Sequence, residues 1–226
     1  MSFRAGHSQI NFAPVNPPIG VLDQFKAQKS ETLKIKEKMI SWTGDDYDIK
    51  NQDGELILKC SAKMITIHGR KDFYDKGRKK VFTLANKLIA LRKSYYAEDN
   101  DGNDLFTISK HFGMVGTNMR LKFKNKADGQ EKQLKLNGDW FARTADIAID
   151  GGPVVAQIRR DLVNVGHLIS DKDTYFVSVA PGVDMSMIIA FCICYDEIKD
   201  EADDEKKKED DRDSKLPAAG DAARNR

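Results

Sequence analysis

From Val183 to Ile198 the chain reads VDMSMIIAFCICYDEI, and between Met185 and Tyr195 its one polar residue is Ser186. There is no period-two alternation to suit a half-buried strand and no polar stripe to suit a surface helix. A helix that is apolar on every side has to be enclosed. Its length argues against a bilayer as the enclosure. The apolar run of 11 residues rises roughly 16 Å at ~1.5 Å per residue, whereas a hydrocarbon core of ~30 Å needs about 20 apolar residues. Asp184 on one side and Asp196 and Glu197 on the other leave no room to lengthen it. Asp184, just after Pro181-Gly182, is placed to cap the first turn or to face its positive end. The stretch predicts a buried α-helix over 184–199.

What encloses it is written upstream. From Thr32 the chain becomes short runs with period-two alternation, separated by turn signals. Leu33-Lys34-Ile35-Lys36 alternates, and the run continues to Trp42. Tyr47–Lys50 leads through Asn51-Gln52-Asp53-Gly54, an Asp-Gly hairpin signal, into Glu55–Cys60. Met64–His68, Lys79–Leu84, Ile89–Ala97, Leu105–Ile108, Met119–Lys124, Glu131–Leu136, Trp140–Ile149, Val154–Arg160 and Tyr175–Val179 read as further strands. About twelve strands with hairpin turns and no intervening helical pattern predict a mainly β fold. A barrel of about eight strands fills with its own side chains, and a wider one has room for a central helix. A 16-residue helix is roughly 24 Å long and a seven-residue strand roughly 23 Å. The matched lengths favour a closed antiparallel barrel threaded by its C-terminal α-helix. The expected core is Ile35, Leu56, Leu58, Phe82, Leu84, Leu121, Phe123, Leu134, Ile147, Val155, Phe176 and the helix.

Three units follow. Residues 1–30 form a polar, partly disordered extension in which Ile19, Val21, Leu22 and Phe25 dock onto the body. Residues 31–199 are the barrel with its helix. Residues 200–226, charged and then Pro/Ala/Gly-containing, are a disordered tail. Net charge is +2 but uneven, because residues 196–213 hold eleven acidic against five basic residues. The body is therefore mildly basic, short of the dense patch of a dedicated nucleic-acid binder. Cys60, Cys192 and Cys194 lack metal-ligand spacing and read as small apolar core residues of a reducing compartment. The start, MSFRAGHSQI, has no signal-peptide apolar region, Ser2 is not the glycine myristoylation needs, and no prenylation Cys closes the chain. The expectation is an intracellular, cytoplasmic protein, peripheral to membranes at most, with no membrane span.

The run Asp173-Thr174-Tyr175, Val177, then Val179-Ala180-Pro181-Gly182-Val183-Asp184, leading into the apolar helix and Asp196-Glu197, resembles the C-terminal signature of the LURP-one-related family. That family sits in the tubby C-terminal-like superfamily with the tubby proteins and the phospholipid scramblases. Tyr47-Asp48-Ile49 with Asp53-Gly54, His68-Gly69-Arg70 with Tyr74-Asp75 and Gly77, Gly138-Asp139-Trp140-Phe141 with Ile147, and Pro153-Val154-Val155-Ala156 resemble its other hairpins in order. The resemblance covers about residues 32–199 and implies a twelve-stranded antiparallel barrel around a C-terminal helix. It also implies functional settings: phosphoinositide binding in tubby domains, calcium-linked phospholipid movement in scramblases, pathogen defence in some plant members. The scramblase helix is long and strongly apolar, whereas this one is short and bounded by acids.

Candidate sites are few. Arg120, Lys122, Lys124 and Lys126 lie two apart on one predicted strand, so all four point to one face, and Lys34, Lys36 and Lys38 do the same on the first. Brought together they would form a basic face for anionic headgroups, each cation near such a membrane contributing ~1 kcal/mol; separately they are solvated strand faces whose lysines discourage edge pairing. Lys76-Gly77-Arg78-Lys79-Lys80 reads as a basic hairpin turn rather than a nuclear localisation patch. Asp99-Asn100-Asp101-Gly102-Asn103-Asp104 has acids and amides at calcium-loop positions 1, 3 and 5, but Gly falls at position 4 and Lys110 stands where a bidentate Glu is needed. No H-E-x-x-H, G-x-S-x-G, Walker A loop or G-x-G-x-x-G is present, so neither a catalytic residue, a cofactor nor a metal is expected. The functional expectation is a non-enzymatic binding and regulatory protein that acts as a protein-interaction scaffold, the acidic tail serving as partner site. The alternative is a phosphoinositide or anionic-phospholipid binding module, and a remote one is scramblase-like activity.

Overall fold

In the computed structural model the described residues are 11–36, 46–62, 69–87, 94–112, 117–137, 144–159, 174–195 and 207–208. They form twelve strands: β1 (Glu31–Lys36), β2 (Asp46–Asn51), β3 (Leu56–Ala62), β4 (Lys71–Tyr74), β5 (Lys80–Lys87), β6 (Ser94–Glu98), β7 (Asp104–Phe112), β8 (Thr117–Lys124), β9 (Glu131–Asn137), β10 (Thr144–Ile149), β11 (Val154–Arg159) and β12 (Thr174–Val179). Each pairs antiparallel with its sequence neighbours, and β1 pairs with β12 from Glu31↔Val179 to Lys36↔Thr174, so the sheet closes on itself. Closure removes the open edges that would otherwise seek another chain.

The helix α1, over 185–195, runs through the barrel. Ile188, Ile189, Ala190 and Cys194 are wholly buried, and Ser186, the one polar residue of the helix, is buried with them. Burying each large side chain such as Ile188 or Phe191 stabilises the fold by roughly 1.5–3 kcal/mol. Alternation works as expected along β8, where Met119, Leu121 and Phe123 are buried and face the interior. Inside, Phe73 stacks on Phe82 with centroids 4.5 Å apart, and Phe82 meets Phe106 edge-on at 5.7 Å.

Two expected core residues are corrected. Phe176 alternates with the buried Tyr175 and Val177, so the pleat turns it outward and it is half-buried. Leu56 starts β3 beside the register shift between Ile49 and Lys50 and is only half-buried. Strand β4, Lys71–Tyr74, is not among the strands expected. The strand expected at Met64–His68, and the segments 37–42, 89–93 and 140–143, lie outside the described residues, as do 196–199 of the expected helix and all of the tail except Lys207 and Lys208.

The barrel has a closed base. The turns after β2, β4, β6, β8 and β10 gather at one end, where β12 also hands over to α1. Residues 11–30, the N-terminal strap, pack under that end. Ile19, Phe25 and Ala27 join the core, while Val21 and Leu22 pack against it half-buried.

Candidate functional site

On the outside of β8, Arg120 is half-buried and Lys122 and Lys124 are exposed. They face outward because Met119, Leu121 and Phe123 take the inward positions. Across the ladder Arg120 lies opposite Ser109 and Lys135, Lys122 opposite Thr107 and Gln133, and Lys124 opposite Glu131. The neighbouring cations are compensated: Lys132 pairs with Asp128 at 2.9 Å and Lys135 pairs with Asp150. Arg120, Lys122 and Lys124 make no ion pair with any described residue. Lys122 also borders an open depression of about 610 Å³ with Glu131, Lys132, Gln133, Ile149 and Asp150.

Lys126 does not continue this row. The strand ends at Lys124 and Lys126 stands in the turn, where its amide donates to the Gly20 carbonyl at 3.0 Å and its Nζ pairs with Asp23 at 2.9 Å. Nor do the two basic rows meet. Around the barrel β1 and β8 are separated by β12, β11, β10 and β9 on the shorter side. Lys34 is half-buried between Phe176 and Lys50. Lys36 closes β1, and its side chain, like Lys38, falls outside the described residues.

The remaining motifs are turns. Asp75 Oδ1 accepts from the amides of Gly77 (2.8 Å) and Lys79 (2.9 Å), which folds Lys76–Lys79 into the β4–β5 hairpin. Asp99 spends its carboxylate on its own loop, with Oδ1 accepting from the Asp101 and Asn103 amides and Oδ2 from the Asn103 side chain, each at 2.9 Å. These bonds hold its carboxyl below the usual range, the Asn103 side chain contributing most. Among the described residues no group of three or more His, Cys, Asp or Glu could hold a metal ion. Cys60, Cys192 and Cys194 form no disulfide, and all three are buried.

The best-built polar cluster lies under the base. Asp184 is fully buried as the cap of α1: its Oδ1 accepts from the Ser186 amide at 3.0 Å and from the Ser186 hydroxyl at 2.5 Å. Its Oδ2 turns the other way and accepts from the amides of Val21 (3.1 Å) and Leu22 (2.8 Å) in the strap. Burial pushes the carboxyl above the usual range, and the Ser186 hydroxyl and the three amides pull against that. Asn125, also fully buried, takes the Gly20 amide on Oδ1 at 2.9 Å and gives Nδ2 to the Pro18 carbonyl at 3.2 Å. Two glycines make the approach possible. A Cβ on Gly20 (φ +144°) would lie 2.2 Å from the Asp184 Cβ, and one on Gly182 (φ +84°) would lie 2.7 Å from the Val15 carbonyl oxygen. Capping by Asp184 was readable from its place before the apolar run. Its grip on the strap, and the part of Asn125, carry no local signal.

The family model described as LURP-one-related matches residues 31–196. The chain belongs to the LURP-one-related family. Among curated members it is 23% identical over 175 residues to Protein LURP-one-related 15 of Arabidopsis thaliana, covering 75% of this chain and 80% of that protein. It is 24% identical over 174 residues to Protein LURP1 of the same plant, covering 74% of this chain and 83% of the relative. A crystal structure of an Arabidopsis thaliana protein superposes with a TM-score of 0.55 at 18% identity, covering 80% of this chain and 99% of the other, which establishes the shared fold. This LURP-one-related barrel, tubby-like in form, holds no helix among its described residues that is long and apolar enough to cross a membrane.

Proposed function

We propose that this LURP-one-related protein is a non-enzymatic binding and regulatory module that meets anionic phospholipid surfaces through the outward row of β8. One observation supports it: Arg120, Lys122 and Lys124 project from one strand without carboxylate partners, while the cations beside them are paired. Three such cations at an anionic membrane contribute roughly 3 kcal/mol at ~1 kcal/mol each, about a hundredfold in partitioning. The interior is occupied by α1 side chains, so binding falls to the outer surface. The buried acids serve structure: Asp184 caps a helix and Glu31 hydrogen-bonds Asn51.

Co-sedimentation with neutral and with anionic vesicles at two salt concentrations tests this. The expected result is binding to anionic vesicles alone, weakened by salt and lost in the double variant Lys122→Glu, Lys124→Glu. Equal binding by that variant sinks the assignment. A protein partner is favoured by a different observation, the way the base of the barrel holds a peptide segment.

A further inference from the structure

We infer that the base of the barrel is a peptide-recognition groove, occupied in this chain by its own residues 15–27, which turn through a 3-10 helix at Asp23–Phe25, and that it takes the same kind of segment presented in trans. This is independent of lipid binding on β8.

The strap is held as a ligand is held. It pairs with the base through isolated bridges, Ile19↔Val183 parallel and Lys26↔Asp184 antiparallel, and not through a strand ladder. Backbone bonds run from Val15 N to Pro181 O (2.9 Å), Ile19 N to Gly182 O (2.9 Å), Ala27 N to Val183 O (2.9 Å), Gly182 N to Ala27 O (2.7 Å), Asp184 N to Ile19 O (3.0 Å) and Lys126 N to Gly20 O (3.0 Å). Two fully buried side chains add recognition of main chain: Asp184 reads the successive amides of Val21 and Leu22, and Asn125 reads Gly20 N and Pro18 O. Main-chain bonds of this kind supply affinity, and pockets for single side chains supply specificity. Here the pockets hold Ile19 and Phe25, 1% and 5% exposed. The space against the Asp184 Cβ admits only glycine at position 20. The groove therefore selects an extended segment of the form apolar–Gly–apolar–apolar, as in Ile19-Gly20-Val21-Leu22.

The occupant is separable from the scaffold. It lies outside the 31–196 span matched by the family model, and it joins β1 through Gln28 and Lys29, both exposed, and the buried Ser30. A groove with these contacts binds any partner chain that carries the motif, with the strap as its competitor in cis.

The test uses the full chain with a protease recognition sequence inserted between Gln28 and Lys29. After cutting, the barrel is expected to keep its cooperative melt with the strap co-eluting on gel filtration. A fluorescent peptide of residues 11–28 is expected to exchange in, measured by anisotropy, and the same peptide with Gly20→Val to bind at least about tenfold more weakly, a loss of ~1.4 kcal/mol. Loss of the melt on cutting shows the strap to be an integral part of the fold and overturns the inference. So does a folded, cut barrel that takes up no labelled peptide, or one that takes up the Gly20→Val peptide equally well.

Discussion

Gly20 lies against Asp184 so closely that a Cβ at position 20 would fall 2.2 Å from the Asp184 Cβ. The contact joins the strap to the cap of the central helix, and it sets the first prediction. Gly20→Ala in the intact chain combines a clash with the fully buried Asp184 side chain and a φ of +144° that L side chains rarely adopt. It is expected to destabilise the fold by about 3 kcal/mol or more, read by chemical denaturation. A change below about 1 kcal/mol would mean the strap shifts away without consequence.

Asp184→Asn keeps the shape and removes an acceptor. The carboxylate takes two donors on each oxygen, and an amide can serve only one such pair. Leaving buried donors unsatisfied costs roughly 1–3 kcal/mol per group, so a loss of about 3 kcal/mol is expected. Because the same residue holds both the strap and α1, hydrogen exchange at Val21, Leu22 and Ser186 should speed up together. Faster exchange at Ser186 alone would separate the two roles.

Asp128 carries the clearest acid dependence. Lys132 Nζ, then the Gln130 amide and the Asn125 side chain, hold its carboxyl down at about 2, well below the usual carboxylate range. With the folded value depressed, its contribution is complete above the ordinary value and is lost as pH falls toward about 2. The stability gap between wild type and Asp128→Asn is expected to be constant above pH ~5 and to close between about 4 and 2. A gap that stays open at the acid end contradicts the Lys132 contact.

Lys126 and Lys122 should separate although they are four residues apart in sequence. Lys126 bonds Asp23 and sits at the strap, so Lys126→Ala is expected to leave anionic vesicle binding within about twofold of wild type. Lys122→Ala should cost about fivefold, as expected for ~1 kcal/mol per free cation. Vesicle titrations at low salt check both.

Much of the barrel was legible because alternation is a local signal. Met119–Phe123 announces both the strand and its inward face, and the apolar run after Asp184 announces the plug. Phe176 shows the limit: hydrophobicity alone placed it inside, and the parity set by Tyr175 and Val177 turns it out. Strand β4 was hidden because Lys71 and Asp72 read as surface residues, yet both are buried, Asp72 accepting the Thr83 hydroxyl at 2.7 Å. The row on β8 was readable by the same alternation as its strand, but not its separation from Lys34, which depends on the order of strands around the barrel. The base was illegible altogether, since Leu22 and Asp184 are 162 residues apart and no period links them.

The pairing of Glu31 with Val179 also fixes when this domain can form. Strand β1 leaves the ribosome first among the strands and waits for β12, the last, before the ring can shut. The apolar plug emerges later still. Long-range closure of this kind folds slowly, and at ~5–20 residues per second of synthesis a nascent chain holds unpaired strands and apolar side chains for many seconds before anything can fill the space between them. The ring can therefore shut only after β12 has been made, and the plug can be enclosed only after that.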